Sequence, residues 1–317
     1  MQESPSVKRQ IWIDGEFVPW ERATIHVLSH CVQRGSLVFD YMSVHRTPRG
    51  VCVFRLPAHV ERFLRSCELV GLPIAMGGEE ISDAIRAAVR ANPGARAVKL
   101  SAYFASVEVD VVPLDNRVSV AVAAYDPDAD VVRRKPVESR PAPAEVRLWI
   151  EKEKHSRRDD ILPPQAKVAA NYASPMSAKS RARDAGYDEI LLVDEDGYVA
   201  EGPSSNVFLV DREGTLVTPP EARVLHGVTR RSVLELAEHH GIPVREGRIS
   251  PEELKRAAEV FLTGTTAGVL CVSSVDGQRI GDGSIGPLTA RLREHYLRVL
   301  AGEDPAFAGW LNPVDEV

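Results

Sequence analysis

A stretch near the middle of the chain constrains the fold more than any other feature. Asp126-Pro-Asp-Ala-Asp130 ends a series of strand-like runs, and the residues on to Pro143 are rich in Pro, Asp and Arg. Such a segment reads as a connector. A chain of 317 residues is long enough to build a core on either side of it. The expected organisation is a smaller α+β domain over residues 1–128, a linker over 129–143 and a larger α+β domain over 144–317.

The patterning within each half supports an α+β class. Ile11-Trp-Ile-Asp14-Gly15-Glu-Phe-Val18 is two short apolar runs around Asp-Gly, a hairpin signal. Val51 to Phe54 reads as a strand. From Ala58 the period changes: Val60, Phe63, Leu64 and Cys67 share a helical face that Gly71 and Pro73 close. Glu79 to Ala91 repeats that pattern, and Val98–Phe104 and Val118–Ala124 read as buried strands. In the second half, strands are expected at 146–150, 190–193, 198–200, 207–210, 216–218 and 259–262. Helices are expected at 174–185, 229–240 and 289–300. The charged segment Glu151 to Asp160 reads as a solvated loop or a lid. Short meandering strands mixed with helices fit α+β sheets rather than regular βαβ winding.

Composition excludes several classes. With 44% hydrophobic and 26% charged residues and a formal charge of −6, the chain has no basic excess for nucleic acid or anionic membrane. No apolar run approaches the ~20 residues that span a bilayer. Met1-Gln-Glu-Ser-Pro lacks the basic and apolar regions of a signal peptide. Cys31, Cys52, Cys67 and Cys271 form no C-x-x-C pair and read as reduced, structural and cytoplasmic. G-x-x-x-x-G-K-S/T, G-x-G-x-x-G and G-x-S-x-G are absent, so phosphoryl transfer, dinucleotide binding and serine hydrolysis lack support. His26 and His30 stand four apart without an H-E-x-x-H glutamate, and no metal is expected.

The chemistry centres on Gln165-Ala-Lys-Val-Ala-Ala-Asn-Tyr172. A lysine among small and apolar residues is costly to bury as a cation, and burial makes it a better amine nucleophile. That property suits a lysine that forms a Schiff base with an aldehyde cofactor; an exposed lysine at a loop-to-helix junction is the plainer reading. Three downstream motifs bear on the choice. Val199-Ala-Glu201-Gly-Pro-Ser-Ser-Asn206 carries an acid at a strand end before a tight turn. Leu225-His-Gly227-Val228-Thr229 opens a helix, where N–H groups bind phosphate. Phe261-Leu-Thr263-Gly-Thr-Thr266-Ala-Gly268 is a strand running into hydroxyls and glycine.

In this order the motifs resemble the class IV aminotransferases (fold type IV pyridoxal-phosphate enzymes), and within them the branched-chain amino acid aminotransferases. The resemblance extends from Ile11-Trp-Ile-Asp-Gly15 through Phe54-Arg-Leu-Pro-Ala-His59-Val-Glu-Arg62, Gly186-Tyr-Asp-Glu189 and Asn206-Val-Phe208 to Gly286-Pro287. It implies the two-domain α+β fold of the D-amino acid aminotransferase type and pyridoxal 5′-phosphate as cofactor. Lys167, in the larger domain, would bond the cofactor and shuttle a proton between Cα and its C4′ carbon. Tyr172 would meet its phenolic oxygen and Glu201 its pyridine nitrogen, keeping the ring an electron acceptor. Arg62, of the smaller domain, would fork onto the phosphate. Gly227, the N–H groups of Val228 and Thr229, and the Thr265 hydroxyl would complete the phosphate cup. Ser205 and Asn206 would lie beside it, and Leu225 against the ring. Thr266 and Ala267 would meet the substrate carboxylate, and Arg34, Phe39, Tyr41 and Lys99 would line the substrate pocket.

The departures gather in the first half. Branched-chain enzymes have Tyr-Gly where this chain has Arg34-Gly35, Phe-Glu-Gly-Ile-Arg where it has Phe39-Asp-Tyr41-Met-Ser43, and Tyr-x-Arg where Ala97-Val98-Lys99 stands. The positive charge of Arg34 and Lys99 is expected either to hold a substrate carboxylate or to pair with Asp40 or Glu108. The expected activity is amino transfer between an amino acid, branched-chain L-amino acids by default, and a 2-oxo acid such as 2-oxoglutarate. D-amino acid or (R)-amine transfer is the alternative, because Thr265-Thr266-Ala267-Gly268 and Glu201-Gly-Pro-Ser-Ser-Asn206 lean toward those enzymes. An aminodeoxychorismate lyase-type reaction stands third. The resemblance also implies a homodimer or larger homo-oligomer.

Overall fold

A computed structural model describes residues 8–131, 145–156, 158 and 160–315. The expected linker falls almost wholly outside the described residues. In chain order the elements are β1 (Gln10–Ile13), β2 (Glu16–Pro19), α1 (His30–Arg34), β3 (Leu37–Thr47), β4 (Gly50–Phe54), α2 (Leu56–Leu69), α3 (Gly78–Ala91), β5 (Ala97–Phe104) and β6 (Val118–Tyr125). Then come β7 (Glu145–His155), α4 (Met176–Asp184), β8 (Glu189–Val193), β9 (Asn206–Val210), β10 (Leu216–Thr218) and α5 (Val228–His239). Last are β11 (Val244–Glu246), α6 (Pro251–Lys255), β12 (Glu259–Gly264), β13 (Gly268–Val275), β14 (Gln278–Arg279), α7 (Pro287–Ala301) and β15 (Leu311–Pro313). The α+β class is as expected.

The contacts divide the chain into one unit of Met1–Lys135, Ala166–Ala170 and Val299–Val317, and another of Pro136–Gln165 and Asn171–Arg298. This departs from the expected division, which placed Lys167 in the larger, C-terminal domain. The segment 166–170 goes with the first unit because Val168 bridges Val38, and the backbone of Lys167 bonds Phe39 and Ser66.

The first unit is a seven-stranded antiparallel sheet in the order β15-β4-β3-β5-β6-β1-β2. The β1–β2 turn uses Asp14 and Gly15, both at positive φ, as the Asp-Gly pair leads one to expect. One sheet face packs under α2 and α3. Val38, Met42, Val98 and Leu100 from β3 and β5 meet Phe63, Ile81 and Ile85 from the helices, all fully buried.

The second unit is a mixed sheet in the order β11-β10-β9-β12-β13-β7-β8, with β14 paired to β13. Strands β7 and β8 split their side chains between two cores. Leu148, Ile150, Leu191 and Val193 join the larger cluster with Val207, Leu209, Val260 and Leu262; Ile190 and Leu192 pack with Ala178 and Ala182 of α4.

Two expectations are corrected here. The charged segment expected as a loop from Glu151 is β7 as far as His155, with a register shift against β8. Glu151 is buried and its Oε2 accepts from Arg181 Nη2 at 3.1 Å, so a charge partner lets the strand continue through an acid. Residues 198–200 form a single bridge, Val193 to Val199, rather than a strand.

Candidate active site

In the first unit the local geometry is set by strand β3 and helix α2. Phe39 N–H donates to the Lys167 carbonyl at 3.0 Å, and Lys167 N–H donates to Ser66 Oγ at 3.0 Å. Ser66 in turn donates to the Arg62 carbonyl one helical turn back, at 2.7 Å. Both ends of the Lys167 peptide are therefore fixed by long-range bonds. Ala166 and Val168 on either side are buried, and Lys167 itself is half-buried. Its Nζ stands 5.0 Å from the Phe39 ring centroid. Gly35 is left-handed (φ 70°), and a Cβ there would stand 3.3 Å from the Ala170 Cβ, so glycine suits the backbone as well as the space.

The same region holds a constellation centred on Asp40, a residue absent from the expected site. Arg62 Nε donates to Asp40 Oδ2 at 2.9 Å and Arg62 Nη2 to Oδ1 at 2.7 Å. His59 Nδ1 lies 2.7 Å from Oδ1, and Tyr41 N–H reaches the same oxygen at 2.7 Å. A ring nitrogen facing a carboxylate carries its proton. The 3.3 Å approach of Arg62 Nη2 to that nitrogen is thus a contact between donors. His59 Nε2 becomes the acceptor, fully buried with no partner among the described residues. Burial pushes the Asp40 carboxyl up, but Arg62 and His59 together outweigh it and hold it well below the usual carboxylate range. Burial holds the His59 imidazole below its ordinary value against the pull of Asp40. The Nε–Nη2 edge of Arg62 is therefore taken by Asp40. The sequence signal was available: His59, Arg62 and Ser66 are spaced three and four apart on one face of α2.

The basic pocket residues go different ways. Arg34 ends α1 and donates to the carbonyls of Val109 (2.8 Å) and Gln33 (3.2 Å). The anticipated Asp40 partner is taken by Arg62, and Glu108 accepts from Ser106 Oγ and from Leu114 N–H at 2.7 Å. Lys99 Nζ lies 4.8 Å from the Phe39 centroid, and Lys99 is opposite Tyr41 in the β3–β5 register.

In the second unit Glu201, Asn206 and Leu225 interlock. Gly202 N–H donates to Ser205 O at 2.8 Å, closing the tight turn, and Glu201 bridges Asn206. Glu201 is 3% exposed, and its Oε2 accepts from Asn206 Nδ2 and Leu225 N–H, each at 3.1 Å. Asn206 Nδ2 also donates to Leu225 O at 3.0 Å. Gly227 caps α5, and a Cβ there would stand 2.0 Å from Asn206 Oδ1, so glycine alone fits. Val228 and the 2%-exposed Thr229 open that helix. Thr265, Thr266 and Ala267 form the three-residue tip of the β12–β13 hairpin. A Cβ at Gly264 would lie 3.1 Å from Ser204 O, so the 202–205 turn sits directly against that hairpin. Tyr172 is half-buried at the end of the 3₁₀ turn Ala169–Tyr172.

These residues suit a phosphorylated pyridine. Ser205 Oγ and Thr263 Oγ1 are buried without an acceptor among the described residues, and a phosphate would provide one. The α5 N-terminus supplies further donors. The amide and N–H that reach Glu201 Oε2 fix the direction of the acid, and a carboxylate suits a cationic ring nitrogen. Among the described residues no group of His, Cys, Asp and Glu could hold a metal.

Comparison with known proteins agrees. The family model for amino-transferase class IV matches residues 37–275. The chain is 35% identical to the branched-chain-amino-acid aminotransferase of Pseudomonas aeruginosa, covering 95% of each, and 33% identical to that of Escherichia coli, covering 96% and 97%. The crystal structure of the T.th. branched-chain amino acid aminotransferase with pyridoxamine 5′-phosphate superposes with a TM-score of 0.88 at 36% identity, over 97% of this chain and 99% of that one. A pyridoxal-phosphate transaminase is the class defined by this fold and site. The chain belongs to the class IV aminotransferases.

Proposed function

We propose that this enzyme moves the amino group of branched-chain L-amino acids to a 2-oxo acid such as 2-oxoglutarate, in two half-reactions at one site. The observation that carries the reading is the Lys167 peptide, held at both ends while its amine stays half-buried beside Phe39. The donor class rests on the relatives, which are branched-chain enzymes over nearly their full length. When bound, pyridoxal phosphate supplies an electron sink for the pair released at the substrate Cα.

The resemblance to the class IV aminotransferases gives these residues their roles. Lys167 would bind the cofactor covalently and move a proton at the substrate Cα. Glu201, oriented by Asn206 and the Leu225 N–H, would face the pyridine nitrogen and Tyr172 the phenolic oxygen. Arg62, fixed by Asp40 along its Nε–Nη2 edge, would hold the phosphate, as would Gly227, Val228, Thr229, Ser205 and Thr265. Leu225 would pack on the ring, Thr266 and Ala267 would receive the substrate carboxylate, and Arg34, Phe39, Tyr41 and Lys99 would shape the side-chain pocket.

We infer a cytoplasmic homodimer. Val27, Leu28, Val32, Val109, Val111 and Leu114 are 50–85% exposed on the segments tied together by Arg34 and by the Ser29–Val107 bridge. Apolar surface at this density marks an interface. Among the described residues no helix is long and apolar enough to cross a membrane.

The test is a single-turnover half-reaction of the cofactor-loaded enzyme with L-leucine, D-alanine and (R)-1-phenylethylamine, followed by cofactor absorbance. L-Leucine should react fastest and release its 2-oxo acid. Faster reaction with D-alanine or the amine would overturn the donor assignment.

A further inference from the structure

We propose that His30 is a positioning residue for amino transfer: its imidazole ties the loop between β5 and β6 (residues 105–117) to the start of β3, where the Lys167 peptide is held. This rests on the aminotransferase reading above. His30 is 3% exposed, and its ring stands edge-on to Phe104 at 5.7 Å between centroids. Its two nitrogens reach different segments. Nε2 lies 3.1 Å from the Val111 carbonyl oxygen, and Nδ1 lies 2.7 Å from Ser36 Oγ. A carbonyl only accepts, so Nε2 carries the proton and Nδ1 of the neutral ring accepts from the Ser36 hydroxyl. Protonation leaves the bridge in place, because Nδ1–H then donates and the hydroxyl accepts. His30 N–H also donates to the Ser106 carbonyl at 2.9 Å, next to the Ser29–Val107 bridge. One helical turn on, Arg34 Nη2 fastens the same loop at the Val109 carbonyl, 2.8 Å away.

The loop depends on these bonds. Its acids serve its own turns: Glu108 accepts from Ser106 Oγ and Leu114 N–H, and Asp110 accepts from Val111 N–H at 2.7 Å. Val109, Val111 and Leu114 are 74–85% exposed, so their side chains add little burial to hold it. The grip falls on the Val109 and Val111 carbonyls. At the other end of the bridge, Ser36 leads into β3. There Val38 bridges Val168, and Phe39 N–H donates to the Lys167 carbonyl at 3.0 Å. Gly35, beside Ser36, lies against Ala170. The run from Ser29 to Phe39 therefore touches the loop with its first half and the Lys167 segment with its second. His30 is bonded to both. Coupling through such a chain needs only continuous contacts, and a reacting group misplaced by about 1 Å loses about 10²-fold in rate.

The test compares the full-length wild type with three variants. His30→Leu removes both ring bonds, His30→Gln keeps one donor and one acceptor, and Arg34→Met changes an exposed side chain that spares the core. Hydrogen exchange is followed in the loop, at the Phe39 and Lys167 amides, and in α3 as a reference for global stability. The rate of forming the borohydride-reducible bond between Lys167 and pyridoxal phosphate is the second readout. In His30→Leu, exchange in the loop and at both amides should rise about tenfold, the scale of one hydrogen bond lost from a buried group. Bond formation should slow about tenfold while α3 stays unchanged, and His30→Gln should restore most of both. Arg34→Met should move the same two readouts in the same direction by less, and it decides the matter if His30→Leu does not fold. Faster exchange in the loop alone, with the Lys167 amide and the rate of bond formation unchanged, would overturn the proposal. So would an equal rise in α3, the mark of a general loss of stability. Absence of the reducible bond in the wild type would overturn the parent reading, and the role of His30 with it, whatever the exchange shows.

Discussion

The two units solve the problem of a buried carboxylate in opposite ways. In the first, Asp40 is fully buried and answered by charge: a bidentate guanidinium from Arg62 and an imidazole from His59. In the second, Glu201 is almost as buried, and the groups that reach its Oε2 are a side-chain amide and a backbone N–H. A carboxylate closed on an arginine fork is self-sufficient, and it fixes the helix face that also carries Ser66 and, through it, the Lys167 backbone. The dipoles on Glu201 Oε2 fix the direction of that acid. In the proposed function Asp40 builds the site and Glu201 acts in it. Substitutions at the two acids should therefore fail differently: Asp40 in stability, Glu201 in chemistry.

The largest effect is expected at the lysine that the first unit positions. Lys167→Ala should abolish both the absorbance of the bound cofactor linkage and transamination, since among the described residues no other half-buried amine stands on the Ser66–Phe39 scaffold; normal turnover by this variant would refute the catalytic assignment. Next comes Asp40→Ala. Breaking a buried ion pair costs about 3–5 kcal/mol, so chemical denaturation should show a loss of that order, with weaker cofactor retention because Arg62 is released. A loss below about 1 kcal/mol, the scale of a surface pair, would erase the contrast between the two acids. Glu201→Gln should leave stability nearly intact and slow the half-reaction about 10²-fold, the scale of one preorganised electrostatic partner. A stability loss as large as that of Asp40→Ala, with an unchanged half-reaction rate, would reverse the comparison.

The smallest effect is a pH dependence. His59 has a folded pKa below its ordinary 6.5, so the unfolded chain binds the extra proton first. Stability is then full above about that pH and declines as pH falls beneath it. Burial moves His45 the same way, as burial and the neighbouring Arg291 do His240. Asp40 adds a second decline: its contribution is complete above the ordinary 3.8 and is lost as pH falls below that toward its depressed folded value. Thermal melts at pH 7.5 and 5.5 should show a smaller difference for His59→Gln than for the wild type. An equal difference would remove His59 from the buried constellation.

Much of this is legible in the sequence alone. The β1–β2 hairpin, the amphipathic helices α2 and α3, the helix opening at Gly227 and the strand-to-turn at Glu201 follow from local pattern. What could not be read required partners far along the chain. Strand β3 hides because Asp40 occupies an inward position that only Arg62 and His59, 22 and 19 residues on, make tolerable. Strand β7 outruns its apolar stretch because Arg181 reaches Glu151, an acid that looks solvated in the sequence. The membership of Lys167 in the first unit depends on Ser66, 101 residues earlier. In each case a charge or a backbone group that is costly to bury alone is satisfied by tertiary structure, which single-sequence periodicity does not report.

The central claim is that the amine presented by the Ser66–Phe39 scaffold is the one that bonds the cofactor. The direct measurement is borohydride reduction of the pyridoxal-phosphate-loaded protein, followed by proteolysis and mass mapping of the modified lysine. The account predicts one reduced adduct, on the peptide carrying Lys167. An adduct on Lys152, Lys154 or Lys179, with Lys167 unmodified, would contradict it.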